Sequence, residues 1–182
     1  MKQHQLPQNL LDTLIRQTSI IHPKSLLSIE FDEDIVSSRL QEARIGQSRS
    51  GIVVTINNLP NEKKNKRYKV INKNEMYKLP YKSSMFDLIV CCGILEHLKN
   101  PLKALAELQR VTKQYIILSV PNEPKFRIAN MMSGRDLSRA GNPSDHVQHW
   151  SGDGFELFAA KKFTVFTKKE PFPWVVLVGE KN

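Results

Sequence analysis

Residues 79–122 read LPYKSSMFDLIVCCGILEHLKNPLKALAELQRVTKQYIILSVPN, and two apolar runs in this stretch enclose an amphipathic segment. The runs at 86–92 and 115–120 are nearly continuous in apolar residues, which is typical of strands that are buried on both faces of a sheet. Between them, Asn100 and Pro101 predict the start of a helix, as N-cap and first-turn proline. Its apolar side chains recur at helical spacing at Leu102, Leu105, Leu108 and Val111. A strand–helix–strand unit of this kind predicts a parallel sheet.

The same alternation continues toward the N-terminus. Residues 8–21 have the apolar spacing of an amphipathic helix. Residues 25–31, 51–56 and 68–72 read as strands, because they are short and apolar or β-branched. A helix between the first two of these strands is predicted to start at a cap formed by Asp32 or Asp34. Its expected buried face is made of Ile35, Val36, the aliphatic stem of Arg39, Leu40 and Ala43. After the second strand, Pro60 is a candidate first residue of a further helix.

Toward the C-terminus, a polar loop precedes a predicted helix at 154–160 and two predicted strands at 163–167 and 174–179. Only six residues join these strands, so they are expected to run antiparallel. The predicted fold class is therefore α/β: a Rossmann-like, doubly wound, mostly parallel sheet with helices on both faces and a C-terminal antiparallel strand pair. We expect one domain over residues 1–182, with an N-terminal helix in 1–22 and the sheet core in 23–182.

The composition is that of a soluble globular chain, with 182 residues, 40% hydrophobic and 25% charged. Residues 1–8 lack the apolar stretch of a signal peptide, and no apolar run approaches the ~18 residues of a membrane span, so a cytoplasmic protein is expected. The adjacent Cys91 and Cys92 lie in an apolar run and are interpreted as small buried hydrophobes rather than as a disulfide or part of a zinc site.

The net charge is +9, and a basic cluster, EKKNKRYK, occupies residues 62–69. A run of this kind is either a solvated face or an attraction for an acidic partner, a phosphorylated substrate or nucleic acid. No pattern of stacking aromatic residues accompanies it, so an RNA-directed role rests on charge alone and a nucleic-acid partner is not expected.

The order of motifs in residues 79–122 resembles the small-molecule methyltransferases of the class I, S-adenosylmethionine-dependent superfamily. Those enzymes share an LP(F/Y) turn, an FD-apolar strand, an LEHL stretch, a helix that ends in ERV and a strand that ends in VPN. The later segments NEPKFRIANMM, GNPSDHVQHWS and PFPW resemble one bacterial subgroup of the same enzymes. The resemblance implies that a cofactor would lie across the carboxyl ends of the strands, at the switch point of the sheet.

The first strand of the family leads into a glycine-rich turn, roughly (V/L)L(E/D)IGCG(D/T)G, where the backbone approaches the amino acid part of the cofactor. The matching stretch here is LLSIEFDED at residues 26–34. Ser28 stands where the family has an acid, and Glu30, Asp32 and Asp34 stand where it has glycines. Side chains at these three positions are expected to block the usual pose of S-adenosylmethionine, so cofactor binding is expected to be weak or undetectable.

The remaining cofactor positions follow from the same resemblance. Asn57, after the second strand, corresponds to the acid that holds the ribose hydroxyls. Glu75 and Met76 stand four and three residues before Leu79, where the family meets the adenine. Cys92, Gly93 and Ile94 follow the fourth strand and would line the other side of the cofactor.

Histidines and a tryptophan are the candidates for the acceptor side. His97 of LEHL and His149 are the candidate bases, because a histidine pKa suits general base catalysis near neutral pH. His146 and Trp150 would line the acceptor pocket, and we expect His146, His149 and Trp150 to face the same cleft as His97. The alternatives are a histidine that only packs at a helix end and a loop that is structural. Two histidines alone do not make a metal site, and no metal is predicted.

Two functions of different classes follow. In the first, the chain transfers a methyl group from S-adenosylmethionine to a small or carrier-linked metabolite, by in-line displacement that depends mainly on proximity and orientation. In the second, the chain is a non-catalytic, methyltransferase-like module that binds a partner protein. The retained adenine and acceptor positions favour the first, whereas the altered glycine turn and the basic surface favour the second.

Overall fold

The computed structural model describes residues 6–31, 35–43, 52–56, 68–71 and 73–182. Within these residues seven strands form one sheet in the order β3-β2-β1-β4-β5-β7-β6. The strands are β1 (Leu26–Phe31), β2 (Ile52–Ile56), β3 (Tyr68–Ile71), β4 (Phe86–Cys92), β5 (Thr112–Pro121), β6 (Phe163–Lys169) and β7 (Trp174–Lys181). The α-helices are α1 (Gln8–Ile21), α2 (Ile35–Glu42), α3 (Pro101–Val111), α4 (Lys125–Met132) and α5 (Gly152–Ala159).

Strands β1 to β5 are parallel to one another, and β7 is antiparallel to both β5 and β6. The predicted fold class, including the antiparallel C-terminal pair, is confirmed. The strand order reverses at β1, because the chain passes from β1 outward to β2 and β3 and then returns to place β4 on the other side of β1. In α/β sheets, ligands bind where the order reverses, at the carboxyl ends of the strands.

Two hydrophobic cores cover the two faces of the sheet. One core joins α3 and α5 to the side chains of Leu27, Ile29, Ile89 and Cys91. The other core joins α1 and α2 to the alternate side chains of the same strands, such as Leu26, Val90 and Cys92. Because successive side chains of a strand point to opposite faces, Ser28 and Glu30 lie on the face that α1 and α2 cover.

Local predictions of helix starts and buried residues are mostly confirmed. Asn100 accepts a hydrogen bond from the Lys103 amide and precedes Pro101, as predicted for the start of α3. Both cysteines are buried and unpaired, as expected. The predicted helix at 8–21 has the same bounds in the structure.

Three predictions about helices are wrong. Ala43 is exposed just beyond the end of α2 rather than on its buried face, because the helix ends at residue 42. Leu102 is 40% exposed, and the buried face of α3 is formed by Ala104, Leu105, Leu108 and Val111 instead. Helix α4 occupies a segment that was predicted to be a polar loop, and it buries only Phe126 and Asn130. Pro60, Asp32 and Asp34 lie outside the described residues.

No α-helix among the described residues is both long and apolar enough to cross a bilayer.

Candidate functional site

The carboxyl ends of β1 and β4 lie side by side at the point where the strand order reverses. Glu30 of β1 is paired in register with Cys92 of β4, and Cys92 is in turn paired with Ser119 of β5. The segment that follows β4 is buried from Gly93 to Leu98 and contains a 3-10 turn at Leu95–His97. The candidate site is therefore built from the last residues of β1 and β4 and from this buried segment.

Glu30 is bound to the first turn of α2. Its carboxylate accepts hydrogen bonds from the backbone amides of Val36 (2.8 Å) and Ser37 (3.1 Å), and also from the Ser37 hydroxyl. The residue is 2% exposed. Amides in the first turn of a helix lack partners within the helix and attract negative charge. The side chain at the first glycine position of the family turn therefore occupies the N-terminus of the helix that follows.

Gly93 has a φ of +67°, which suits a glycine, and its open side faces Trp174. A Cβ atom added at Gly93 would lie 3.6 Å from the Trp174 ring, at ordinary contact distance. Trp174 is itself buried and packs edge-on against Phe126 of α4, with ring centroids 5.8 Å apart. Trp174 is therefore a packing residue that covers the glycine after β4.

The other cofactor positions are only partly within the described residues. Glu75 begins a 3-10 turn, Glu75–Tyr77, and Met76 is fully buried in the core beneath it. The Ser28 hydroxyl is buried and has no hydrogen-bond partner among the described residues. Asn57 lies outside the described residues, as do Asp32 and Asp34, so their predicted roles stay predictions.

His97 is buried and is held by Asp145. Its Nδ1 atom lies 3.1 Å from the Asp145 carboxylate and 3.1 Å from the Asp145 backbone carbonyl. Burial lowers the pKa of His97, but the hydrogen bond to Asp145 and the nearby carboxylates outweigh it, so the pKa is raised. The same contact holds the pKa of Asp145 far below its usual value. A carboxylate that orients an imidazole in this way is typical of catalytic and metal sites.

Glu96 is an uncommon feature of this site, because it is a fully buried carboxyl group. Desolvation raises its pKa to about 7, partly offset by the neighbouring His97. Its Oε2 atom has no hydrogen-bond partner among the described residues. Perturbed carboxyl groups of this kind cluster at functional sites.

The loop that carries Asp145 and His146 is attached to the turn after β4 by the backbone. The amides of Val147 and Gln148 both donate to the Glu96 carbonyl, at 2.8 and 2.9 Å. The His146 ring meets His97 edge-on, with ring centroids 4.8 Å apart, and stacks on Phe126. His146 and His97 are thus brought together.

His149 and Trp150 make other contacts. The exposed His149 ring lies 2.9 Å from the Asn142 side chain. Trp150 packs against Phe155 and Phe158, at centroid distances of 5.4 and 5.1 Å, beside the core on the α5 face. These contacts do not link either residue to His97, so a shared acceptor cleft stays a prediction.

Two residues of the site, Glu96 and Asp145, were not singled out from the sequence. Glu96 directly precedes His97 in LEHL, and Asp145 directly precedes His146 in DHVQHW. The position of an acid beside a candidate histidine could have indicated both residues. The hydrogen bonds from α2 to Glu30 were not predicted. The sequence indicated only that the Glu30 side chain would fill space that a glycine leaves open.

Comparison with known proteins connects this fold to methyltransferases. Residues 41–118 match the family model of a methyltransferase domain. Curated proteins give no match to the sequence.

Solved structures resemble the chain over nearly its whole length. A chain from the complex between the Haloferax volcanii Trm112 methyltransferase activator and a candidate methyltransferase has a TM-score of 0.66 at 10% identity, over 95% of this chain and 88% of that one. Methyltransferases of Aquifex aeolicus and Thermotoga maritima have TM-scores of 0.64 and 0.62, each at 16% identity over 94% of this chain and 89% of theirs. The chain therefore has the fold of these solved methyltransferases, and its residues 41–118 are similar to the methyltransferase domain of the family model.

Proposed function

We propose that this chain is a non-catalytic, methyltransferase-like module that does not hold S-adenosylmethionine in the usual pose and that acts by binding a partner protein. The observation that carries the proposal is the position of the Glu30 carboxylate on the Val36 and Ser37 amides. In the family this position is a glycine, and the space beside it takes the amino acid end of the cofactor. Here the chain supplies its own anion to the start of α2, which removes both the space and the amides.

A partner surface is available on the segment after β5. Four large apolar side chains of α4 and the turn that follows it are exposed, with Met132 at 83% and Leu137 at 62%. We call this the α4 surface; it consists of Ile128, Met131, Met132 and Leu137. Contiguous exposed apolar groups are typical of interaction sites.

The charges around the α4 surface indicate what kind of partner it would take. Arg135 and Arg139 are both exposed beside it, and the whole chain has a net charge of +9. A protein with an apolar groove bordered by acidic side chains is complementary to this arrangement. The Haloferax volcanii neighbour, which is found in a complex with a protein partner, supports this class of function for the fold.

Titration calorimetry with S-adenosylmethionine tests the cofactor half of the proposal. We expect no measurable binding by the native chain and a gain of binding when Glu30, Asp32 and Asp34 are all replaced by glycine. Glu30→Gln is the matched control, because it removes the charge and keeps the volume, and it should stay unable to bind. Micromolar binding by the native chain, with no gain in the triple variant, would contradict the proposal.

Site-specific photo-crosslinking tests the partner half. A crosslinker at Met132 should give a discrete product in an extract of the source cells, and Arg135→Glu with Arg139→Glu should abolish it. A crosslinker at Leu157, which is 73% exposed on α5, is the control for an apolar position elsewhere. The same products from both positions, or products that persist after charge reversal, would count against the α4 surface.

A second candidate function is methyl transfer itself, and the contact between His97 and Asp145 favours it. An imidazole oriented by a carboxylate at the carboxyl end of β4 has the arrangement of a general base. Methyl transfer requires that S-adenosylmethionine binds in a different pose that leaves Glu30 in place. The calorimetric titration described above therefore distinguishes the non-catalytic module from the enzyme. Binding by the native chain followed by slower methylation of an acceptor in His97→Ala would support it.

A further inference from the structure

Three side chains with metal-ligating atoms converge beside the carboxyl end of β4. One ligand atom from each of Glu96, His97 and His146 lies within 4.8 Å of the other two. Glu96 and His97 are buried at 2% and 8% exposure, and His146 is half-buried. The cluster is held together by the backbone, since the loop carrying His146 donates two amides to the Glu96 carbonyl.

The Oε2 atom of Glu96 is the first observation that points to a cation site. It is buried and has no hydrogen-bond partner among the described residues. An acceptor left in this condition has lost its solvation without a replacement, and the cost is larger when it carries charge. A bound cation would remove that cost, because it satisfies the oxygen directly and neutralises the charge of the carboxylate.

The orientation of His97 is the second sign. Asp145 engages its Nδ1 atom through both the carboxylate and the backbone carbonyl. Metal-bound histidines commonly have one ring nitrogen held by a carboxylate in this way, which fixes the tautomer and directs the other nitrogen at the metal. In His97 the coordinating atom would be Nε2.

We infer that Glu96, His97 and His146 form a binding site for a divalent transition metal of the Zn²⁺ type. Two imidazoles and one carboxylate suit Zn²⁺ and its first-row neighbours rather than Mg²⁺ or Ca²⁺, which take oxygen ligands. Three protein ligands leave a fourth position for water or a substrate, as in open zinc sites. The inference is independent of whether the chain binds S-adenosylmethionine.

The geometry requires one adjustment. Metal–ligand distances of about 2.0–2.2 Å place the ligands of a tetrahedral site about 3.4 Å apart, whereas the present separations reach up to 4.8 Å. His146 is the ligand that can close this gap, because it lies in a loop and is only half-buried.

The thiols of Cys91 and Cys92 precede Glu96 in the chain, and their chemistry does not favour metal binding. Burial raises the pKa of both thiols well above the ordinary value. Metal binding requires the thiolate, so these groups are poor competitors near neutral pH.

Metal titration of the full chain tests the site. After treatment with a chelator, the native protein should bind one equivalent of Zn²⁺ by calorimetry, and Co²⁺ should give the visible absorption of a tetrahedral complex without a thiolate charge-transfer band. Mg²⁺ should produce neither effect. His146→Ala should weaken Zn²⁺ binding by about tenfold or more. Loss of a group that only orients a metal ligand already has an effect of this size, and His146 is a ligand itself.

Two further variants make the test specific. Glu96→Gln should weaken Zn²⁺ binding in the same way. Because Glu96 is buried, this variant can fail to fold, and in that case the His146→Ala variant still tests the site. His149→Ala is the matched control, since it removes an exposed histidine three residues away that contacts Asn142 instead. No Zn²⁺ binding by the native chain, equal binding by native and His146→Ala, or equal losses in His146→Ala and His149→Ala would overturn the inference.

Discussion

At the residue scale, Gly141 connects the loop of the candidate site to α4. Its φ is +76°, and its carbonyl accepts a hydrogen bond from the buried Asn130 side chain at 2.9 Å. A Cβ atom at this position would lie 2.1 Å from the Arg127 carbonyl oxygen. The backbone of α4 therefore leaves no room for a side chain, and glycine is required here for space as well as for conformation.

Gly141→Ala and Gly134→Ala separate these two requirements. Gly134 also has a positive φ, +68°, but nothing lies within 4 Å of an added Cβ atom. Gly134→Ala should lower the free energy of unfolding by about 1 kcal/mol, the cost of a left-handed alanine. Gly141→Ala should cost about 3 kcal/mol or more, because a backbone clash is added to the strain. Urea unfolding monitored by circular dichroism measures both, and equal losses would contradict the close approach.

At the element scale, Glu107 and Arg110 attach α3 to the turn before β4. The Glu107 carboxylate accepts the Leu79 amide at 2.9 Å and two hydrogen bonds from Arg110. Arg110 in turn donates to the carbonyls of Leu79 and Tyr81. The LP turn, which follows the segment of Glu75 and Met76, is thus positioned by α3 in addition to its own hydrogen bond from the Tyr81 amide to the Leu79 carbonyl.

Glu107→Gln should destabilise the fold in a pH-dependent way. The hydrogen bond from Arg110 is the largest cause that lowers the pKa of Glu107. A lowered pKa means that its contribution is fully present above the unfolded pKa of about 4.3 and is lost as the pH falls through the folded value. At pH 7 the variant should lose about 1–2 kcal/mol of unfolding free energy. The difference from the native chain should shrink in urea titrations below about pH 4.

Glu156→Gln is the control for this prediction. Glu156 pairs with Lys168 at 2.7 Å, but its side chain is 38% exposed. An exposed pair contributes little, so the variant should stay within about 0.5 kcal/mol of the native chain. Equal losses from Glu107→Gln and Glu156→Gln would show that the attachment of α3 to the LP turn contributes nothing beyond a surface ion pair.

At the scale of the whole molecule, β7 connects the parallel sheet to its C-terminal edge. It lies between β5 and β6, and residues 174–179 are all buried. Val176 is paired with Ser119 on one side and Lys169 on the other, and it is fully buried. The C-terminal strand β7 is therefore an interior strand of the sheet, and its side chains contribute to both hydrophobic cores.

Val176→Asp should prevent stable folding, because an unpaired carboxylate in an apolar core costs more than about 4 kcal/mol. Phe166→Asp is the matched control on the edge strand β6, where the side chain is 55% exposed. It should change the unfolding free energy by no more than about 1 kcal/mol. Thermal melts followed by circular dichroism compare the two. A cooperative, native-like melt for Val176→Asp would contradict the interior position of β7.

The sequence by itself determined the elements and their order. The apolar runs at 86–92 and 115–120 became β4 and β5, and the Asn100–Pro101 start of α3 formed as predicted. These features depend on local properties: side-chain periodicity, capping and backbone restriction. The antiparallel final pair followed from a short connection, which is also local. Helix α4 was missed because it buries only Phe126 and Asn130 and leaves most of its apolar side chains exposed, so its sequence carries no clear buried stripe.

Only the tertiary structure decided what the site residues contact. Asp145 meets His97 across 48 residues of sequence, and Trp174 reaches Gly93 through the antiparallel return of β7. Glu30 was predicted to obstruct the cofactor turn, but its bonds to α2 depend on where that helix begins. Such contacts are set by how the sheet edge, the helices and the loops pack together. The residues next to a side chain in the sequence do not determine such long-range contacts, so the contacts of this site could be described only from the folded chain.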